Sequence, residues 1–162
     1  MEINFTALLL SSIVPLIMGA VWYHPATFGR LWMKETGFTD EYLKKGNLFK
    51  IFGGTLLFSL PLSMMVMVLT VHQMGPLGMI GGPDFIETAL PSYQDFMNDY
   101  GTAFRTFKHG ALHGFMSGLF LSLAIVGINS LFERKSWKYI LIHIGYWTVT
   151  MTIMGAIVCG WV

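Results

Sequence analysis

The stretch "KHGALHGFMSG" (108–118) carries the side chains best suited to chemistry in this chain. His109 and His113 stand four residues apart, so on a helix both imidazoles share one face, the spacing by which two histidines hold one metal ion. His72 closes an earlier apolar run and falls at the same level, which lets three of the five histidines meet. With Asp95 or Asp99 from the segment between, they make a His/carboxylate site for zinc or another divalent metal. Two imidazoles facing each other from different helices, His72 with His109 or His113, also suit a haem iron. The HExxH signature is absent, since no glutamate stands between His109 and His113, so a metalloprotease would lack its general base. Against all of these stands a plainer role, hydrogen bonding near an interface where water is close, and no cofactor is firmly implied.

A second polar set collects around the connection after the third apolar run. Glu133 ends that run beside Arg134, Lys135 and Lys138, Asn129 lies one turn inside it, and His143 lies one turn into the fourth. His24 and Arg30, after the first run, belong to the same edge. His24, Arg30, Asn129, Glu133 and His143 therefore form a second candidate cluster, with a salt-bridged turn that pins two helices as the alternative. No Ser-His-Asp or Cys-His arrangement, phosphate-cradling glycine loop or paired-carboxylate motif can be assembled, so the chain announces no reaction.

The elements that must position these groups are read from composition. Of 162 residues, 54% are hydrophobic, 15% aromatic and only 12% charged, against soluble averages of roughly 45–50% apolar and about 25% charged. Apolar runs near 3–23, 50–72, 109–131 and 139–161 each reach the ~20 residues that cross a bilayer core. A cleaved leader is the competing reading of the first, but Glu2 stands where a basic n-region belongs and the run is too long, so a retained helix is expected. The fold class is then all-α: a polytopic integral membrane protein, one transmembrane domain with a bundle of four transmembrane helices, a short interfacial helix and a helix-bearing outer loop, 73–108.

Lysine and arginine set the expected orientation. Arg30, Lys34, Lys44, Lys45 and Lys50 lie on the first connection and Arg134, Lys135 and Lys138 on the third, whereas the second has only Arg105 and Lys108. The first and third connections should face the cytoplasm of a cell inner membrane, with both termini outside. A net charge of +1 without like-charge blocks marks no nucleic-acid surface. Cys159, alone in an apolar run, excludes an intrachain disulfide and points to packing.

The connections differ in character. Thr39 can cap a helix opening with Asp40 and Glu41, four residues before Lys44 and Lys45, and Gly46 marks a break before the second span. "MGPLGMIGGP" (74–83) is too rich in Gly and Pro for regular structure. Ser92, with Asp95 three residues on, starts a candidate helix on which Phe96, Tyr100, Phe104 and Phe107 line one face.

Within the spans, Gly110, Gly114 and Gly118 repeat every four residues and Ser122 continues the line, a surface for close helix packing. Gly53, Gly54, Gly145, Gly155 and Gly160 offer similar positions. Pro15 and Pro61 lie mid-span near Ser11, Ser12, Ser59 and Ser63, whose hydroxyls can satisfy carbonyls that proline frees. Paired kinks can line a pathway, although no Asp, Glu, Lys or Arg falls inside a span, as ion routes usually require. The methionines of "SMMVMVL" suit apolar filling better than copper. In "VWYHPATFGRLWMK" (21–34), Trp22 and Tyr23 read as belt residues, Pro25 turns the chain, and Phe28, Leu31 and Trp32 form a lipid-facing stripe while Arg30 and Lys34 point to phosphates.

Two of these segments together, "GAVWYHPATFGRLWMKETGFTDEYLKKGN" (19–47) and "LFERKSWKYILIHIGYWTVTMTIMGAIVCGW" (131–161), resemble a family of small bacterial and fungal membrane proteins, domain of unknown function seventeen sixty-one. The specific parts are the aromatic-Tyr-x-Pro-x-x-Phe-Gly-x-x-Trp-Met run and the Leu-Phe-Glu element. Many relatives continue that element with Gly-Arg-Pro, where this chain has Arg134-Lys135-Ser136. The resemblance covers nearly the whole chain and implies an integral four-helix protein without an assigned activity. The leading functional expectation is a non-enzymatic membrane component acting through helix-helix contacts, in a homo-oligomer or with other membrane subunits in the lipid bilayer. The alternative is a small-ligand, metal or ion-handling protein that uses the outer histidines or a proline-kinked interior, and membrane-embedded catalysis has the least support.

Overall fold

A computed structural model describes residues 3–162, and those residues are helical throughout, with no strand among them. Met1 and Glu2, on which the reading of a retained first helix leaned, lie outside the described residues. Four long helices carry the apolar runs: α1 (Phe5–Trp22), α4 (Leu48–Thr70), α7 (Phe107–Phe132) and α8 (Trp137–Gly160). Each is long and apolar enough to cross a membrane. The shorter α2 (Gly29–Thr36) and α3 (Asp40–Lys44) lie between α1 and α4. Between α4 and α7 come α5 (Met74–Met79), a 3₁₀ turn at Pro83–Phe85 and α6 (Pro91–Tyr100).

Side-chain caps set the starts. Asn4 accepts from the Ala7 amide, Thr39 from Tyr42, Asn47 from Lys50, Thr106 from His109 and Ser136 from Tyr139. Each satisfies one amide that the helix cannot, a gain of about 1 kcal/mol. The break expected at Gly46 falls between α3 and α4.

Helix α8 is the hub, packing on α1, α4 and α7. Half of its apolar window is buried inside the bundle, against 17% for α7, which leans on α8 with one face only. That face is the glycine line. Gly110, Gly114 and Gly118 are buried, and a methyl group at Gly110 or Gly114 would strike the backbone carbonyl of Gly155 or Met151. Such contact needs residues without side chains, and it replaces the hydrophobic driving force that lipid cannot supply between helices. Gly53 and Gly54, by contrast, meet nothing within 4 Å.

The core where α1, α4 and α8 converge contains Leu8, Val14, Val66, Met67, Val71, Met151, Met154, Val158 and Cys159. Polar groups inside the bundle are tied locally. Ser11 and Ser63 share a hydrogen bond between α1 and α4, and Ser63 also donates to the Leu8 carbonyl at 2.9 Å. The serines thus join helices and bond the carbonyls of Leu8 and Leu9. Pro15 is buried while Pro61 faces outward, so the two prolines meet different surroundings rather than one shared lining.

Three expectations for the long connection are corrected. "MGPLGM" does form a helix, α5, with Leu77 buried beneath it. The following helix starts at Pro91, not Ser92, because proline suits a first turn where no amide partner is needed. The aromatic stripe is broken: α6 ends at Tyr100, Phe104 has φ of 61°, and Phe107 opens α7.

Candidate functional site

The loop-bearing end of the bundle holds the histidines. Helix α4 stops at Thr70, leaving His72 two residues beyond its last turn, while Thr106 caps α7 so that His109 and His113 occupy its first two turns. One ligand nitrogen from each of His72, His109 and His113 lies within 4.8 Å of the others. The Nε2 atoms of His72 and His109 are 2.9 Å apart and hydrogen-bonded. The rings of His72 and His113 stand edge to face at 4.9 Å, and those of His109 and His113 lie 4.4 Å apart. His72 is exposed and the other two are half-buried, so the cluster opens to the surroundings.

A neutral imidazole has one N–H and one lone pair. One histidine of the His72–His109 pair therefore gives its hydrogen to the other. Tetrahedral zinc with bonds of about 2.0–2.1 Å holds its nitrogens roughly 3.3 Å apart. Three nitrogens within 4.8 Å of one another are near that spacing, and three donors fill three of the four tetrahedral positions. Among the described residues no carboxylate joins them: Asp95 and Asp99 on α6 are exposed and outside the cluster. The direct contact between His72 and His109 leaves no slot for a porphyrin between them.

The segment after α6 fixes the cluster from above. Gln73 Nε2 donates to the carbonyls of Tyr100 at 2.7 Å and Ala103 at 2.9 Å. Arg105 Nε donates to the Cys159 carbonyl at 2.9 Å, and the Cys159 thiol reaches the Phe104 carbonyl. Held this way, the Phe104 ring lies 5.0 Å from His109 and edge-on to His72 at 5.9 Å. A cavity of about 250 Å³ continues from His72 between Phe96, Tyr100 and Phe104. Sequence reasoning missed Gln73, Phe104 and Arg105. Phe104 fitted a helical aromatic stripe that the structure breaks, and Gln73 and Arg105 stand in connections where periodicity says nothing of their partners.

The second expected cluster does not assemble. Among the described residues no side-chain hydrogen bond joins any two of His24, Arg30, Asn129, Glu133 and His143. His24 points outward and its Nδ1 accepts from the Ala26 amide at 3.2 Å, while Arg30, Asn129 and Glu133 are exposed. His143 is met instead by Tyr23, whose hydroxyl lies 2.9 Å from Nδ1. The reason is where α1 ends: Trp22 is its last residue, Tyr23 caps it and meets His143 on α8, and His24 already belongs to the exposed turn beyond.

The belt reading of residues 22–32 changes as well. Trp22 donates to the Ile142 carbonyl at 3.0 Å, over Gly145, where a methyl group would come within 2.8 Å of the indole. The rings of Tyr23 and Trp32 lie tilted at 5.1 Å, and Trp32 meets Phe38 edge to face. These three rings turn toward the bundle, and only Phe28 and Leu31 keep an exposed apolar side.

Residues 6–159 match a known family, described as Protein of unknown function (DUF1761). The chain belongs to that family. No curated protein and no solved structure matches it. In this DUF1761 protein the aromatic run that carried the resemblance builds the end opposite the histidines. Gly29 sits so close under the turn that a methyl group there would strike the Tyr23 carbonyl, and Thr27 closes the end of α1 by donating to the carbonyls of Val21, Trp22 and His24. Arg134, which follows the Leu-Phe-Glu element, has φ of 56°.

Proposed function

We propose that this multi-pass membrane protein binds a divalent transition-metal ion, zinc or a neighbour in the series, through His72, His109 and His113. The observation that carries the reading is the convergence of three imidazole nitrogens within 4.8 Å. Three neutral nitrogen donors suit zinc, copper, nickel or cobalt and disfavour magnesium or calcium, which want oxygen. Among the described residues the group of metal-capable side chains is made of the three histidines alone, a donor set suited to holding an ion. The ion would staple α4 to α7, two helices whose direct packing is slight beside that of α7 on α8. That role is a non-enzymatic one, in keeping with a membrane component that works through helix-helix contacts.

The clustering of basic residues at the opposite end supports an inner-membrane orientation in which the histidines and both termini face outward. Helix α7, with 17% of its apolar window buried inside the bundle, has a face open to a second copy, another membrane subunit or lipid.

The test is elemental analysis of the full chain in detergent, with cobalt loading read by its visible absorption. About one bound ion is expected, and it should be lost in His109→Ala and in His113→Ala. A chain that takes up no ion under loading, or keeps it in both variants, overturns the assignment. Crosslinking in native membranes should trap a neighbour, and a strictly monomeric, partner-free protein would overturn the assembly.

A further inference from the structure

The opposite end of the bundle holds a second polar site in a different setting. Tyr23 Oη and His143 Nδ1 are 2.9 Å apart, while His143 Nε2 is buried and has no hydrogen-bond partner. The imidazole has two neutral forms. With hydrogen on Nε2, a buried N–H goes without an acceptor. With hydrogen on Nδ1, only a lone pair goes unmatched. Orphaned donors are the rarer fault in native structures, so Nδ1–H donates to the Tyr23 oxygen, and the Tyr23 O–H is left to donate elsewhere.

Tyr23 also lines a cavity of about 350 Å³ between α1 and α4, whose other walls include Pro15, Gly19, Ala20, Phe52 and Tyr146. The other hydroxyls on the wall are engaged. Tyr146 donates to the Pro15 carbonyl at 2.8 Å and Thr55 to the Ile51 carbonyl at 2.7 Å. Among the described residues Tyr23 is thus the one side-chain donor free to serve the cavity. Ala20, Ile51 and Phe52 are exposed, so the cavity opens toward the lipid-facing side between the two helices. An apolar chamber with a single oriented donor selects an uncharged, lipid-soluble molecule that presents one acceptor oxygen.

We infer that Tyr23, oriented by His143, binds the carbonyl oxygen of a lipid-soluble molecule in the cavity between α1 and α4. Two sources carry that chemistry, a quinone ring and the ester carbonyl of a bilayer phospholipid. The site is independent of the histidine cluster at the other end, so neither stands or falls with the other.

The full chain is placed in nanodiscs of ester-linked and of ether-linked phosphatidylcholine, and a short-chain ubiquinone is titrated while tryptophan fluorescence is followed. Trp22 and Trp32, beside Tyr23, report its arrival. Saturable quenching in both lipids assigns the site to the quinone. Saturation in the ether discs alone means that ester carbonyls compete for Tyr23 and assigns it to phospholipid. In either case Tyr23→Phe should weaken binding at least tenfold. Gly19→Leu should abolish it by filling the chamber, since a Cβ at Gly19 meets only the Tyr146 hydroxyl, at 3.9 Å. Quenching that never saturates in either lipid, or saturates equally in folded Tyr23→Phe and Gly19→Leu proteins, overturns the inference.

Discussion

His72 and His109, 37 residues apart in the chain, touch through their Nε2 atoms at 2.9 Å and so join the end of α4 to the start of α7. The contact needs one hydrogen and one lone pair between the two rings. Protonation of both rings replaces it with two facing cations. The same lone pairs are the ones a metal ion would take, and protons compete for them. Two facing cations repel, so acid weakens the contact. Acidification is expected to release a loaded cobalt ion, read by loss of its visible absorption. Without metal it should lower the melting temperature of the wild-type protein more than that of His72→Gln, where only one ring of the pair can charge. Equal acid sensitivity of the two proteins would count against the contact.

Glycine at 114 is expected to be irreplaceable, and glycine at 53 expendable. A methyl group at Gly114 would overlap the Met151 carbonyl, which belongs to helix backbone and cannot rotate away. Gly114→Ala must push α7 off α8, at a cost of about 1–3 kcal/mol typical of overpacking. Gly53→Ala meets nothing within 4 Å and should be neutral or stabilising by up to about 1 kcal/mol, the helix-propensity difference. Thermal unfolding of the two variants in one detergent checks the contrast.

Arg134 adopts φ of 56°, where a side chain strains the backbone and glycine does not. Arg134→Gly is expected to hold or raise stability, by up to about 1 kcal/mol, and Arg134→Val to lower it by more, since β-branching worsens the clash. Unfolding midpoints of the three proteins give the order. If valine proves no worse than glycine, the turn between α7 and α8 is not held in this conformation.

What was legible in the sequence follows from which coordinate it encodes. Position along the membrane normal is written in runs of apolar residues, so Phe5–Trp22 falls inside the expected 3–23 and Phe107–Phe132 brackets 109–131. The common level of His72, His109 and His113 could be read in the same way. Rotation about each helix axis is another matter. Helices apolar on every side carry no stripe to say which face turns inward. For that reason His24 was grouped with His143, although it is its neighbour Tyr23 that reaches the imidazole. The glycine line escaped this limit because small residues mark a packing face by size rather than polarity. The break at Gly101–Arg105 was hidden as well: it has Phe104 in a left-handed conformation, and the segment is held through Gln73 and Cys159, partners that lie outside it.

Gln73 is the residue on which that segment most depends. Its side-chain nitrogen serves the carbonyls of Tyr100 and Ala103, and its oxygen is buried without a partner. Gln73→Leu removes both donated bonds together with the unpaired oxygen, so the losses are partly offset, and the net cost should be about 1–2 kcal/mol. Gln73→Glu is the harsher change, because an ionised carboxylate can only accept and would face two carbonyl oxygens. Either substitution frees residues 100–106, and trypsin should then cut after Arg105 faster than in the wild-type protein, glutamate giving the larger effect. The Phe104 ring would leave His109 as the segment loosens, so metal affinity should fall in the same order as protease resistance. If cleavage after Arg105 is unchanged in both variants, the segment is held chiefly by Arg105 and Cys159, and metal affinity should then be unchanged as well.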